Sequence, residues 1–253
     1  MVFLLSLIAV AANATTLRSK CDLSLTSRLK NSIFHRMQLY VTGRGLEDYE
    51  RISKKNLLKT LDALPGGARW TDLGAGEAKA LNDYDKRRKT LNLPPLKLAA
   101  VVLHRTLGTK IKNLWAQESP VQFYSGKPFE DYAPQELPLS DIITDFMGAI
   151  HYSEHADQVL NQALRNLKKG GLFITNASLA TEIRDESGKI IGPHEWAARG
   201  KGIVIEPSDW YVLKVRKLSD TAEVPALRLT KISEPSPFAP PMREYTIEKV
   251  NGR

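Results

Sequence analysis

Residues 72–79, Asp72-Leu73-Gly74-Ala75-Gly76-Glu77-Ala78-Lys79, decide how this chain is read. The stretch before them, Ala68 to Leu73, is short and extended in pattern and runs straight into the glycines. A helical pattern follows from Glu77 to about Leu91. Strand, glycine turn and helix in that order make the opening unit of a wound α/β sheet. Ligands of such sheets sit beyond the carboxyl ends of the strands, at the switch point that usually lies beside the first strand. Small residues at Gly74, Ala75 and Gly76 let the backbone pass close under a ligand, and the helix that follows offers free N–H groups. Asp72 stands at the strand end, where its carboxylate can accept from a cationic or N–H-bearing group.

Downstream the same alternation repeats. Lys97 to Leu103 (KLAAVVL) is a continuous apolar run that predicts a buried strand, with a helix over 106–117 after it. Val121 to Tyr124 and Ser140 to Phe146 predict two more strands, and a helix is expected over 153–167. Lys169-Gly170-Gly171 turns the chain into a fifth strand, Leu172 to Thr175. Strands alternating with helices of this length imply a mostly parallel sheet covered on both faces. Past Asn176 the alternation stops. Residues 209–218 and 226–233 read as an antiparallel pair, 235–241 is proline-rich, and 244–250 reads as a last edge strand.

Upstream, apolar spacing predicts helices over 26–41 and 46–64, separated by Gly43-Arg44-Gly45 and closed by Pro65-Gly66-Gly67. The expected organisation is a leader at 1–14, a basic helical segment at 15–65 and an α/β domain at 66–253. Across 253 residues, 42% hydrophobic and 25% charged, the chain can bury a sizeable core, which excludes disordered, collagenous and disulfide-stapled classes. Its lone cysteine, Cys21, permits no internal disulfide. The net charge of +8 is concentrated early, with ten Lys or Arg against four Asp or Glu between Thr15 and Thr60. That surplus is either a solvated helix face or a basic arm for an acidic partner. No RNP, zinc-finger or helix-turn-helix signature accompanies it, which argues against a nucleic-acid partner. Val2 to Ala14 is apolar, too short to span a bilayer, and ends in the cleavable pattern Ala12-Asn13-Ala14. No Lys or Arg lies between Met1 and this run, so an export signal competes with an anchor or a buried helix. The leader implies a periplasmic or secreted protein; without it the chain is cytoplasmic.

The glycine turn excludes one reading and supports another. A dinucleotide fingerprint needs glycine at position 79, which is Lys79, and an apolar residue or glycine where Asp72 stands. The pattern D-L-G-A-G-E-A instead resembles the first motif of the class I S-adenosylmethionine-dependent methyltransferases. The resemblance runs from about Gly66 to Thr175. It includes Pro120 to Tyr132 as the third strand and its acidic loop, Asp141 to Ser153 as the fourth strand and its loop, and Leu167 to Thr175 as the turn into strand five. It implies a Rossmann-like doubly wound sheet, mostly parallel with an antiparallel C-terminal strand pair, and a helical N-terminal extension. It also implies S-adenosylmethionine as cofactor, with Asp72, Gly74, Ala75 and Gly76 beneath its methionine portion and Glu130, Asp131 and Asp145 nearby.

Two positions depart from that family's pattern. Strand two ends Val102-Leu103-His104-Arg105 with no carboxylate for the ribose hydroxyls, and Lys127 follows Gly126 where an acid is common. Each lost carboxylate hydrogen bond costs on the order of 1.5–3 kcal/mol of binding. Beyond strand four, Asp145 faces the transferred methyl group by resemblance, and His151 is the candidate general base, with an ordinary pKa of about 6.5. His151 and His155 stand four apart, but HYSEH brings no third ligand, so no metal is expected. Asp145-Phe146-Met147-Gly148 lacks the prolines of the amine methyltransferases that act on DNA bases. Trp196 and Trp210 flank a region that reads equally as an aromatic lid over the acceptor or as ordinary packing. The expected function is methyl transfer to a small-molecule or acidic macromolecular acceptor. The alternatives are an exported, non-catalytic binding protein on the same scaffold and an NAD(P)-dependent oxidoreductase.

Overall fold

The computed structural model describes residues 43–103, 119–177, 181–233 and 242–248. The leader at 1–14, the helices expected over 26–41 and 106–117 and the proline-rich 235–241 lie outside the described residues. Within them the chain forms α1 (Leu46–Ile52), α2 (Leu57–Asp62), β1 (Arg69–Leu73), α3 (Lys79–Thr90), β2 (Lys97–Val102), β3 (Val121–Ser125) and a 3-10 turn (Phe129–Asp131). It continues with β4 (Ser140–Asp145), α4 (Ala149–Tyr152), α5 (Ala156–Asn166), β5 (Leu167–Asn176), β6 (Thr181–Arg184), β7 (Ile190–Ile191) and α6 (Pro193–Ala198). The last strands are β8 (Ile203–Ile205), β9 (Val212–Lys217), β10 (Leu227–Ile232) and β11 (Arg243–Ile247). No helix among the described residues is long and apolar enough to cross a membrane.

The main sheet has seven strands in the order β3-β2-β1-β4-β5-β9-β8. The first five are parallel, and β9 runs antiparallel to both β5 and β8. This is the Rossmann-like doubly wound sheet with its switch point between β1 and β4. Both faces are covered, as the near-continuous apolar strands require. Trp70, Leu98, Ala100, Ile142 and Ile174 point to the face packed by α1, α2 and α3, while Leu73, Val101, Ile143 and Phe173 point to the face packed by α5. On α5, Leu160 and Leu164 are fully buried, each contributing roughly 1.5–3 kcal/mol of apolar burial.

Three expectations change in detail. The single helix expected over 46–64 is two helices, because Lys54 and Lys55 both adopt left-handed backbone (φ 56 and 61). Ser53 Oγ and Glu50 Oε2 then accept the free N–H groups of Leu57 and Leu58 that start α2. The segment 209–218 does not pair with 226–233. Its strand β9 is buried on both sides and lies inside the main sheet, whereas the alternately exposed β10 pairs with β11 in a second sheet. That second sheet has four strands, β10-β11-β6-β7, so β11 is an interior strand rather than the edge expected for 244–250. Tyr245 and Ile247 of β11, Leu227 of β10 and Ile183 of β6 join the same core as α5.

Candidate functional site

The site begins where β1 ends. Gly74 and Gly76 have φ +67 and +53, a region glycine enters without steric penalty. The Gly74 N–H donates to Val101 O at 2.9 Å, hooking the turn over the end of β2, and Ala75 is buried beneath it. A Cβ at Gly74 would lie 2.5 Å from Gly148 Cα. The turns after β1 and β4 therefore touch backbone to backbone.

Two carboxylates close these strands, and both are wholly buried. Asp72 Oδ2 accepts from Tyr49 Oη and Oδ1 from Thr144 Oγ1, each at 2.7 Å, and Thr144 Oγ1 in turn accepts from Trp70 Nε1 at 2.9 Å. Burial raises the Asp72 pKa to about 6, opposed by the two hydroxyls and by the Arg44 cation. Asp145 Oδ2 accepts from the Ile150 N–H at 2.8 Å, and burial, aided by the Asp72 charge, raises its pKa to about 7. Tyr49→Phe removes one of the two side-chain donors on a buried carboxylate. It is expected to lower stability by about 1–3 kcal/mol near neutral pH, read from urea unfolding.

The loop after β4 is held from two sides. Arg44 Nη2 donates to Phe146 O at 2.9 Å on the glycine side, and Arg44 Nε has no hydrogen-bond partner among the described residues. On the far side, Asn176 Oδ1 accepts from the Met147 N–H at 2.9 Å, and Asn176 Nδ2 lies 3.1 Å from His151 Nε2. The amide orientation assigned by this network makes Nε2 the acceptor and places the ring proton on Nδ1. His151 is buried, and that burial lowers its pKa to about 3. In this arrangement the ring offers a proton rather than a lone pair, unlike the general-base role expected from its position.

The other expected residues disperse. Glu130 Oε1 accepts from Ser153 Oγ at 2.6 Å, which ties it to the junction before α5, and Asp131 stands on the exposed side of the 3-10 turn. Lys127 pairs with Glu136 at 2.5 Å and lies over the Tyr132 ring. His155 stands at the N-cap position of α5, without a side-chain capping bond, while His151 belongs to α4, so the two do not share one helix face. Trp196 is buried with its Nε1 donating to Pro225 O, and Trp210 is exposed against Tyr211. Sequence reasoning missed Arg44, Tyr49, Thr144, Asn176 and Arg243. Asn176 alone carried a local signal, a polar residue closing the apolar run of strand five.

No protein-family model matches the chain, and no curated protein matches it. Solved structures similar to it include the CurJ carbon methyltransferase, at 12% identity over 66% of this chain and 54% of that one, TM-score 0.48. The CMeT domain of the citrinin polyketide synthase is 16% identical over 51% of this chain and 34% of that one, TM-score 0.43. The glycopeptide N-methyltransferase MtfA, solved with S-adenosyl-L-methionine, is 16% identical over 78% of this chain and 76% of that one, TM-score 0.39. The chain thus spans 34% and 54% of the lengths of the citrinin and CurJ chains. The sheet order β3-β2-β1-β4-β5-β9-β8, mostly parallel with β9 antiparallel, is itself the fold that the resemblance implied.

Proposed function

We propose that this chain is a class I S-adenosylmethionine-dependent methyltransferase. The observation that carries the reading is the glycine turn at the switch point. Gly74 and Gly76 are left-handed there, and the Arg44 guanidinium stands over the adjoining loop with its Nε unpartnered. That donor set fits the amino-acid end of the cofactor, with Arg44 holding its carboxylate and the Gly74–Gly76 backbone passing beneath. The ribose end fits less well. Val102 and Leu103 close β2 without a carboxylate for the ribose hydroxyls. At the amino-acid end Asp72 shapes the turn rather than contacting the cofactor, because both its oxygens are engaged by hydroxyls. When bound, the cofactor supplies an electrophilic methyl group. The protein's part is to position donor and acceptor about the loop after β4 and to exclude water from the buried Asp72 and Asp145.

Titration calorimetry of the full chain with S-adenosylmethionine and S-adenosylhomocysteine tests this. Micromolar binding is expected, weakened about tenfold or more by Arg44→Ala, which removes a charge-assisted pair. Absence of binding with the ligands at millimolar concentration overturns the reading and leaves a non-catalytic binding protein on this scaffold.

A further inference from the structure

The loop after β4 carries a side chain that neither packing nor backbone preference accounts for. Met147 adopts left-handed backbone, φ +54, yet it is neither glycine nor asparagine. For such a residue this region costs a factor of about five to thirty in the folding equilibrium. Burial does not offset that cost, because Met147 is 37% exposed. Glycine would remove it. Strain kept at an exposed position beside a ligand crevice points to a use for the side chain itself.

Three neighbours hold the loop in this shape. Asn176 Oδ1 accepts from the Met147 N–H at 2.9 Å, Arg44 Nη2 donates to Phe146 O at 2.9 Å, and Gly148 lies against Gly74. The side chain turns to the glycine side, where Arg44 Nη1 lies 3.7 Å from Met147 Sδ. Arg44 is placed there by close approaches on both sides of it. A Cβ at Gly43 would lie 3.3 Å from Glu77 Oε2, and one at Gly45 would lie 2.8 Å from Asp83 Oδ2. Residues 43–45 therefore run against the end of the glycine turn and the start of α3, and Arg44 reaches from them to the turn after β4. The thioether and the guanidinium stand side by side next to the contact between the two turns.

We propose that Met147 is a ligand-contact residue, its side chain packing against the methionine portion of bound S-adenosylmethionine beside the carboxylate that Arg44 holds. This rests on the methyltransferase reading above, which gives Arg44 that carboxylate. The amino-acid end of the cofactor is a charged head on a short aliphatic chain. Arg44 matches the head, and an unbranched, polarizable thioether gives the chain an adaptable apolar surface.

Calorimetry of the full chain with two ligands tests this. One is S-adenosylhomocysteine; the other is methylthioadenosine, which keeps the nucleoside and its sulfur but lacks the amino-acid end. Met147→Gly and Met147→Asn both suit left-handed backbone and both remove the thioether. Each is expected to raise the unfolding midpoint of the unliganded protein by a few degrees. Each is also expected to weaken S-adenosylhomocysteine about tenfold and to leave methylthioadenosine unchanged. Met147→Leu keeps both the strain and an apolar surface, and should keep the wild-type midpoint and most of the affinity. If the Gly and Asn variants bind S-adenosylhomocysteine as the wild type does, the proposal is overturned and the methyltransferase reading stands. Equal weakening of both ligands also overturns it, because the shape of the loop rather than the side chain would then be at work. So does a lowered midpoint in both variants, which would mean that Met147 serves the fold. A wild type that binds neither ligand overturns the methyltransferase reading, and the role of Met147 falls with it.

Discussion

Gly148→Ala is expected to cost about 3 kcal/mol of stability or more, and to abolish nucleoside binding with it. The added methyl carbon would fall 2.2 Å from Leu73 O and 2.2 Å from Asp145 Oδ1. Neither neighbour can give way easily. Leu73 belongs to a strand paired on both sides, and Asp145 is held by the Ile150 N–H. The methyl therefore forces apart the two turns that meet at Gly74 and Gly148, the same contact that shapes the cradle. Urea unfolding reads the stability loss, and calorimetry on whatever remains folded reads the binding. Gly188→Ala is the contrast: its φ is +85 but nothing lies within 4 Å of the new atom, so it carries only left-handed strain, about 1–2 kcal/mol. If the two variants lose equal stability, the close approach at Gly148 is not what requires a glycine there.

Asp145→Asn is expected to gain on the wild type as pH rises. The buried acid has its pKa raised from 3.8 to about 7. Its contribution to stability is fully present below the unfolded value and is lost as pH climbs through the folded one, since the unfolded chain ionises first. Asparagine keeps an oxygen for the Ile150 N–H and never ionises. Between about pH 5 and about pH 7 the stability difference between variant and wild type should therefore grow by about 3 kcal/mol, then level off. His151 titrates in the opposite sense, its lowered pKa of about 3 costing stability as pH falls below about 6.5. The wild-type profile alone thus hides the effect, and the pairwise difference exposes it. A difference that does not change with pH would mean that Asp145 ionises freely in the folded protein.

The parallel half of the fold was legible because its physics is local. A strand buried on both faces must be an apolar run, as KLAAVVL is, and a glycine turn must follow a strand to begin a helix. The second sheet was not legible. Its strands β6 and β7 are four and two residues long, too short for alternation to register, and the partner of β10 is set by pairing across the chain. Nor did Lys54 and Lys55 advertise a helix break, since neither is the glycine or proline that such a turn usually takes. In the site, Asp72 and Asp145 were readable as strand-end acids. The groups that set their chemistry were not: Tyr49 arrives from α1 and Thr144 from β4, and nothing in either segment marks them for Asp72. Arg243 reaches His151 from 92 positions further along the chain, a distance no motif spans.

The place of β11 also bears on how the molecule assembles. Thr181 pairs with Arg243, 62 positions later, and β11 lies between β6 and β10. During synthesis β6 and β7 emerge long before the strand that joins them to β10, so the main sheet can form while the smaller one waits. Such long-range pairing is the slow step of a folding reaction. Until it is made, the core around Trp196 and Ile183 lacks Tyr245 and Ile247, and apolar surface left open in this way is what exposes a nascent chain to aggregation or to capture by a chaperone.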